Sequence, residues 1–192
     1  MVVAYQSNQR INLMMPGDIL IADASATVSH CGICVGLRNG HADYVIHATS
    51  KRGILKEDPS QWGLLSQVFR GNGNGLTKDE LAAIENIAEK IMESAAYGSG
   101  RACFKSWSGT SSFGNGARER LAKYRNRLEN HQGLVKNVYC SELVILSYQL
   151  GLGDENHRLF IKKDGKHTLP KTLREYLRTN GNWNEIGDYK PS

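Results

Sequence analysis

The sequence predicts an α+β fold, on three observations. Strand signals crowd the first fifty residues, helical patterns follow at 78–96 and 140–152, and the two kinds of segment are largely segregated along the chain instead of alternating. Strands joined by a tight turn pair antiparallel, so the expected architecture is an antiparallel sheet packed against helices, with a cysteine at the start of the second clear helix.

The elements follow in order. Pro16-Gly17-Asp18 punctuates the chain, and Ile19, Leu20 and Ile21 read as a short buried strand. Two longer strands, 28–37 and 42–49, flank Asn39-Gly40, a strong hairpin signal because both residues tolerate positive φ. The run GNGNGL at 71–76 is a joint. Thr77 and Glu80 form a capping box, and Leu81, Ile84, Ala88, Ile91 and Ala95 recur at helical spacing, which predicts a helix over 78–96. Residues 98–116, rich in Gly and Ser, read as a long loop. Arg118 to Asn130 is a short basic helix with Leu121, Tyr124 and Leu128 inward and its five Arg and Lys on a solvated face. The helix over 140–152 is apolar at Leu143, Val144, Leu146 and Leu150 and is stopped by Gly151 and Gly153. A Pro-initiated helical turn lies in TLPKTLREYL at 168–177, and NWNEI at 182–186 is a last strand.

At 192 residues and 40% hydrophobic side chains, the chain suits one domain spanning 1–192. No apolar run is long enough for a membrane span, and MVVAYQSNQRINLMMPGD lacks the basic and apolar segments of a secretory signal, so synthesis in the cytoplasm is expected. The net charge of +5 favours an anionic partner or surface. Aromatic residues make up only 8% and do not interleave with basic ones, which disfavours a nucleic-acid-binding module.

Cys31, Cys34, Cys103 and Cys140 are too few for a disulfide scaffold. Cys31-Gly-Ile-Cys34 invites a zinc or redox reading, but residues three apart in a strand point to opposite faces, and no second Cys-x-x-Cys completes a ligand set. Neither metal nor cofactor is expected, and both cysteines read as small core hydrophobes. Taken literally, the hairpin pairs Arg38 with His41 and Gly32 with His47. His30 and His47 then share a face as diagonal neighbours, with no side chain on Gly32 to obstruct them, while His41 sits at the exposed turn. A histidine oriented by a second polar group calls for a nucleophile. Cys140 opens a helix, where free N–H groups and the positive dipole end favour thiolate, and its own N–H is placed to receive an oxyanion. Alone it reads more readily as a small buried residue; opposite two matched histidines, the nucleophile reading prevails.

The series Gly17-Asp18-Ile19, Ser29-His30-Cys31-Gly32-Ile33, Val45-Ile46-His47-Ala48 and Tyr139-Cys140-Ser141-Glu142-Leu143-Val144 resembles the circularly permuted, YiiX-like branch of the NlpC-like cysteine peptidases, in the papain-like superfamily. Thr168-Leu169-Pro170 before Leu173 resembles that group's C-terminal element. The motifs are short, but His before Cys is a distinctive order; residues 52–95 and 98–137 add length rather than motif. The resemblance implies a papain-like α+β fold with Cys140 as nucleophile, His30 as base and His47 as the group orienting His30. YiiX-like members often carry Glu in the place of His47, so the third role departs from the pattern. It also implies substrate contacts for Tyr97, Tyr139 and Ser141.

These features together lead to an amidase cutting a peptide bond in bacterial peptidoglycan. The missing leader leads to export by a specialised route, as in contact-dependent (type VI) secretion effectors or phage lysins, into a target cell's periplasm, with a cognate immunity protein as the partner implied by analogy. The alternatives are a lipid or thioester acyl hydrolase and a protease or deamidase of host proteins, built on the same Cys-His pair.

Overall fold

The central hairpin folds in the expected register. Gly32 pairs with His47, Ile33 with Ile46, Cys34 with Val45 and Val35 with Tyr44. Arg38 and His41 bridge the base of the turn, where Asn39 (φ 53°) and Gly40 (φ 86°) take the left-handed conformation that a two-residue turn between twisted strands demands. The structure, a computed structural model, describes residues 14–23, 29–73, 75–97, 109–130, 132–133 and 137–190, with the backbone alone for 96 and 97.

The strands are β1 (Ile19–Asp23), β2 (Ser29–Val35), β3 (Tyr44–Thr49), β4 (Gly53–Glu57), β5 (Ser66–Gly71), β6 (Ala96–Tyr97), β7 (Asn137–Val138) and β8 (Trp183–Tyr189). Six of them form one antiparallel sheet in the order β4-β3-β2-β1-β5-β8. The expected strands all form, with the last longer than NWNEI. β4 and β5 carry no clear period in the sequence: every residue of β4 is half-buried, so no apolar-polar alternation marks it. β6 and β7 make a two-residue parallel ladder, Ala96 to Asn137 and Tyr97 to Val138, that delivers the chain to the next helix.

The helices are α1 (Lys78–Ser94), α2 (Asn115–Glu129), α3 (Cys140–Leu152) and α4 (Pro170–Thr179). Both arms of the capping box form on α1, with Thr77 Oγ1 accepting from Glu80 N at 3.2 Å and Glu80 Oε2 accepting from Thr77 N at 2.7 Å. α2 begins three residues ahead of Arg118 and buries Leu121, with Tyr124 and Leu128 packed against the core. Gly151 does not stop α3. It lies inside the helix, where a Cβ would come within 2.7 Å of Ile84 Cα, so its lack of a side chain lets α1 approach; the stop falls at Gly153, at φ 71°.

One face of the sheet, with Ile19, Ile21, Cys31, Ile33, Ile46 and Phe69, packs with α1, α3 and α4 into the larger core. The other, with Leu20, Ala22, Cys34, Val45 and Val68, is covered by Met14, Trp62 and Tyr189. No helix among the described residues is long and apolar enough to cross a membrane.

Candidate active site

Register alone assembles a line of polar side chains across three strands. His47 in β3 is paired with Gly32 in β2 and with Leu55 in β4. His30 and Glu57 each lie two residues from those partners, so both are diagonal neighbours of His47 on its own face of the sheet. His30 Nε2 is 2.9 Å from His47 Nδ1, and His47 Nε2 is 2.9 Å from Glu57 Oε2. Arg52 pairs with the other Glu57 oxygen at 2.8 Å.

With His47 neutral the protons fall into line. His47 donates to Glu57 from Nε2, its Nδ1 accepts, and His30 donates from its own Nε2. That leaves Nδ1 of His30 as the free ring nitrogen, a lone pair able to receive a proton. Burial pushes the pKa of His47 down, in spite of the hydrogen bond to Glu57. A neutral His47 is what the line requires, because a second proton on the ring would remove the acceptor that His30 uses.

Trp62 forms the floor. Its ring stacks on His30 with centroids 5.1 Å apart and planes at 19°, and it meets His47 edge-on at 4.9 Å. Asp58 caps the short 3-10 turn Pro59–Gln61 that carries Trp62, and Trp62 Nε1 donates to Ser66 Oγ at 2.6 Å. Gly32 makes the space: a Cβ there would lie 2.9 Å from Trp62 Cζ3, 2.8 Å from Val45 Cγ1 and 3.2 Å from His47 Cβ.

Cys140 is the first residue of α3, after Tyr139 at the N-cap, so its sulfur lies among first-turn N–H groups at the positive end of the helix. Its titrating neighbours are Cys31 and the His30 imidazole. The Cys31 thiol and then the His30 imidazole hold the Cys140 thiol well below the ordinary thiol range, against the opposing effect of burial. Burial pushes Cys31 up, and a second negative charge beside Cys140 pushes it further, so of the two sulfurs Cys31 keeps its proton. An imidazole with a free Nδ1 against a thiol at a helix N-terminus is able to take the thiol proton and leave a nucleophilic thiolate.

The other expected site residues fare differently. Tyr139 and Ser141 are buried, and their hydroxyls donate to the turn at 165–168: Tyr139 to Gly165 O at 2.7 Å, Ser141 to Thr168 O at 2.6 Å. The expected substrate contacts are therefore not seen for either; they anchor the start of α3 from within. The backbone of Tyr97 is paired beside Val138, and the role expected of its side chain lies outside the described residues. So does Cys103. Cys34 belongs to the core on the opposite face from Cys31, with its thiol donating to Met14 Sδ at 3.6 Å. Among the described residues no three His, Cys, Asp or Glu side chains converge as a metal site. A cavity of about 560 Å³ lies between Met15, Gly36 and the start of α1, and none of Cys140, His30, His47 or Glu57 lines it.

Glu57 and Trp62 were not anticipated. The signal for Glu57 is a second tight connection, SKR at 50–52 after the strand of His47; the diagonal rule that joins His30 to His47 reaches Glu57 when applied once more. Trp62 has no comparable signal, since a turn connection sets its place. Searches of family models, curated proteins and solved structures find no match to the chain.

Proposed function

We propose that the protein is a cysteine amide hydrolase of papain-like, permuted architecture that cleaves a peptide bond in bacterial peptidoglycan. The observation that carries this reading is the hydrogen-bonded line from His30 through His47 to Glu57, with Cys140 neighbouring His30 from the N-terminus of α3. In the proposed reaction His30 Nδ1 takes the Cys140 proton, and the thiolate attacks the scissile carbonyl carbon. The oxyanion forms against first-turn N–H groups of α3, among them that of Cys140. The proton on His30 passes to the departing amine as the C–N bond breaks, leaving a thioester on Cys140. Water, deprotonated by His30, then releases the acid and restores the thiol. His47 and Glu57 hold His30 in its working tautomer and stabilise the imidazolium, and Trp62 shields the line from water.

The wall substrate draws its support from the net charge of +5 against an anionic polymer. Action on the wall of a target cell, delivery by a specialised secretion route and protection of the producer by an immunity protein belong to the same proposal. Incubating purified sacculi with the protein and weighing the released fragments tests it: new peptide ends are expected with the wild type and none with Cys140→Ala. Fusion to a periplasmic leader is expected to lyse a Gram-negative host, whereas cytoplasmic expression is tolerated. Intact sacculi together with turnover of thioester or protein substrates would replace the wall by one of those substrates and leave the cysteine mechanism standing.

A further inference from the structure

The cavity beside Met15 and Gly36 lies at the Val35 end of β2, away from His30, and its lining joins an aliphatic wall to a held cation. Val35, Leu76, Leu81 and Ile84 make the wall, and no aromatic side chain lines it among the described residues. Of the three large apolar side chains exposed among the described residues, Met15, Leu37 and Leu65, the first two line this cavity, Leu37 at 65% exposure. Arg70, also in the lining, donates from Nε to Asp18 Oδ1 at 2.7 Å and from Nη2 to Asp18 Oδ2 at 2.6 Å. Asp18 is fully buried and accepts from Met15 N at 2.8 Å as well. We infer that this cavity binds a single-chain anionic amphiphile of the fatty-acid class, with its alkyl tail along the aliphatic wall and its carboxylate on Arg70. None of Cys140, His30, His47 or Glu57 lines it, so the site stands apart from the proposed hydrolysis.

Three physical points select this ligand. A guanidinium carries five N–H donors, and the two given to Asp18 leave two on Nη1 and one on Nη2, a fork that matches a carboxylate. The buried Asp18 fixes the cation before any ligand arrives, which lowers the ordering cost of binding. Secondly, the local charge is positive. Glu85, the one acid in the lining, is already engaged, with Oε2 accepting from Gly36 N at 3.1 Å and Oε1 paired with Lys56 at 3.3 Å, whereas the exposed Lys78 adds a cation at the start of α1. Thirdly, about 560 Å³ lies within the range of small-ligand pockets, and an aliphatic wall with no ring to stack on suits a flexible alkyl tail over a planar aromatic.

Calorimetric titration of the full-length protein with monomeric dodecanoate tests this. Dodecanol supplies the tail without the charge, and benzoate supplies the carboxylate on a ring. Saturable binding of one dodecanoate per chain is expected, with dodecanol and benzoate each weaker by about tenfold or more. Arg70→Gln removes the fork and is expected to weaken dodecanoate by about 10–100-fold while leaving dodecanol unchanged. Thermal melts show whether that variant folds, since it leaves Asp18 buried without its cation. If it does not, Ala82→Trp stands in: position 82 is exposed on α1 and lines the cavity, so an indole there fills the mouth and is expected to abolish binding of both dodecanoate and dodecanol. Equal affinity for dodecanoate and dodecanol, or dodecanoate binding that survives Ala82→Trp, overturns the inference. So does sedimentation of the protein with phosphatidylglycerol vesicles in the absence of saturable dodecanoate binding, which would assign the patch to a membrane surface.

Discussion

Along β2, Cys31, Ile33 and Val35 turn toward α1, α3 and α4, whereas His30, Gly32 and Cys34 turn toward Trp62, Met14 and Tyr189. The first face is deep and apolar: α3 is buried from Cys140 to Leu150, and the sheet side chains beneath it serve to seat that helix. The second face has a thinner cover, in which one glycine and one tryptophan leave room for a polar line. Under the proposed reaction neither face suffices alone: the helix face supplies the sulfur of Cys140 and the other face the imidazole of His30.

Substitutions that cut the junction are expected to have the largest effect. Under the proposed reaction, Cys140→Ala and His30→Ala each reduce turnover by about 10³-fold or more, measured by fragment release at saturating substrate. Next come the supports of His30. His47→Ala and Glu57→Gln are expected to cost roughly 10–100-fold with the protein still folded, since the base remains but loses its fixed tautomer. Equal losses at His30 and His47 would mean that His47 does more than orient.

The two faces separate more finely through packing. Gly32→Ala drives a methyl against Trp62, Val45 and the His47 Cβ, and is expected to cost about 1–3 kcal/mol in denaturant unfolding together with activity. Ile33→Val, on the helix face, is expected to cost about 0.5–1.5 kcal/mol and leave activity intact. If Gly32→Ala retained full turnover, the spacing of His47 over Trp62 would not matter to the reaction.

A smaller effect concerns pH. Burial lowers the pKa of His47 in the folded chain, so the unfolded chain takes up the proton first, near the ordinary imidazole value of about 6.5. The contribution of neutral His47 is therefore complete above about 6.5 and is lost as pH falls through the folded value. Melting temperature is expected to decline over that window in the wild type, and His47→Gln should flatten that part of the decline. His41→Ala, at the turn, is expected to change neither activity nor the slope.

The hairpin was the most legible part of the molecule because Asn39-Gly40 fixes loop length, and loop length fixes register; from that came the neighbouring histidines and the divergence of Cys31 from Cys34. The capping box at Thr77 and the apolar run after Cys140 marked two helices for equally local reasons. What escaped was set by distance or by ambiguity. β4 shows no alternation, so the strand bearing Glu57 was not recognised, and β5 acquires its place from β1 and from β8, which lies more than a hundred residues later. Cys31 was read correctly as buried, but its nearness to Cys140 depends on where α3 lands, which local pattern does not determine. Substrate contacts for Tyr139 and Ser141 come from the resemblance, yet a helix start points neighbouring side chains in different directions, and these two point inward.

The pairing of β5 with β8 has a consequence for how the molecule comes into being. Synthesis runs from the N-terminus, so the five strands β1 to β5, with His30 and His47, leave the ribosome before α3 and its Cys140. Until Trp183–Tyr189 emerges, β5 has β1 on one side and open hydrogen-bonding groups on the other. The edge that β5 offers to β8 is thus covered only by residues made after α3 and α4.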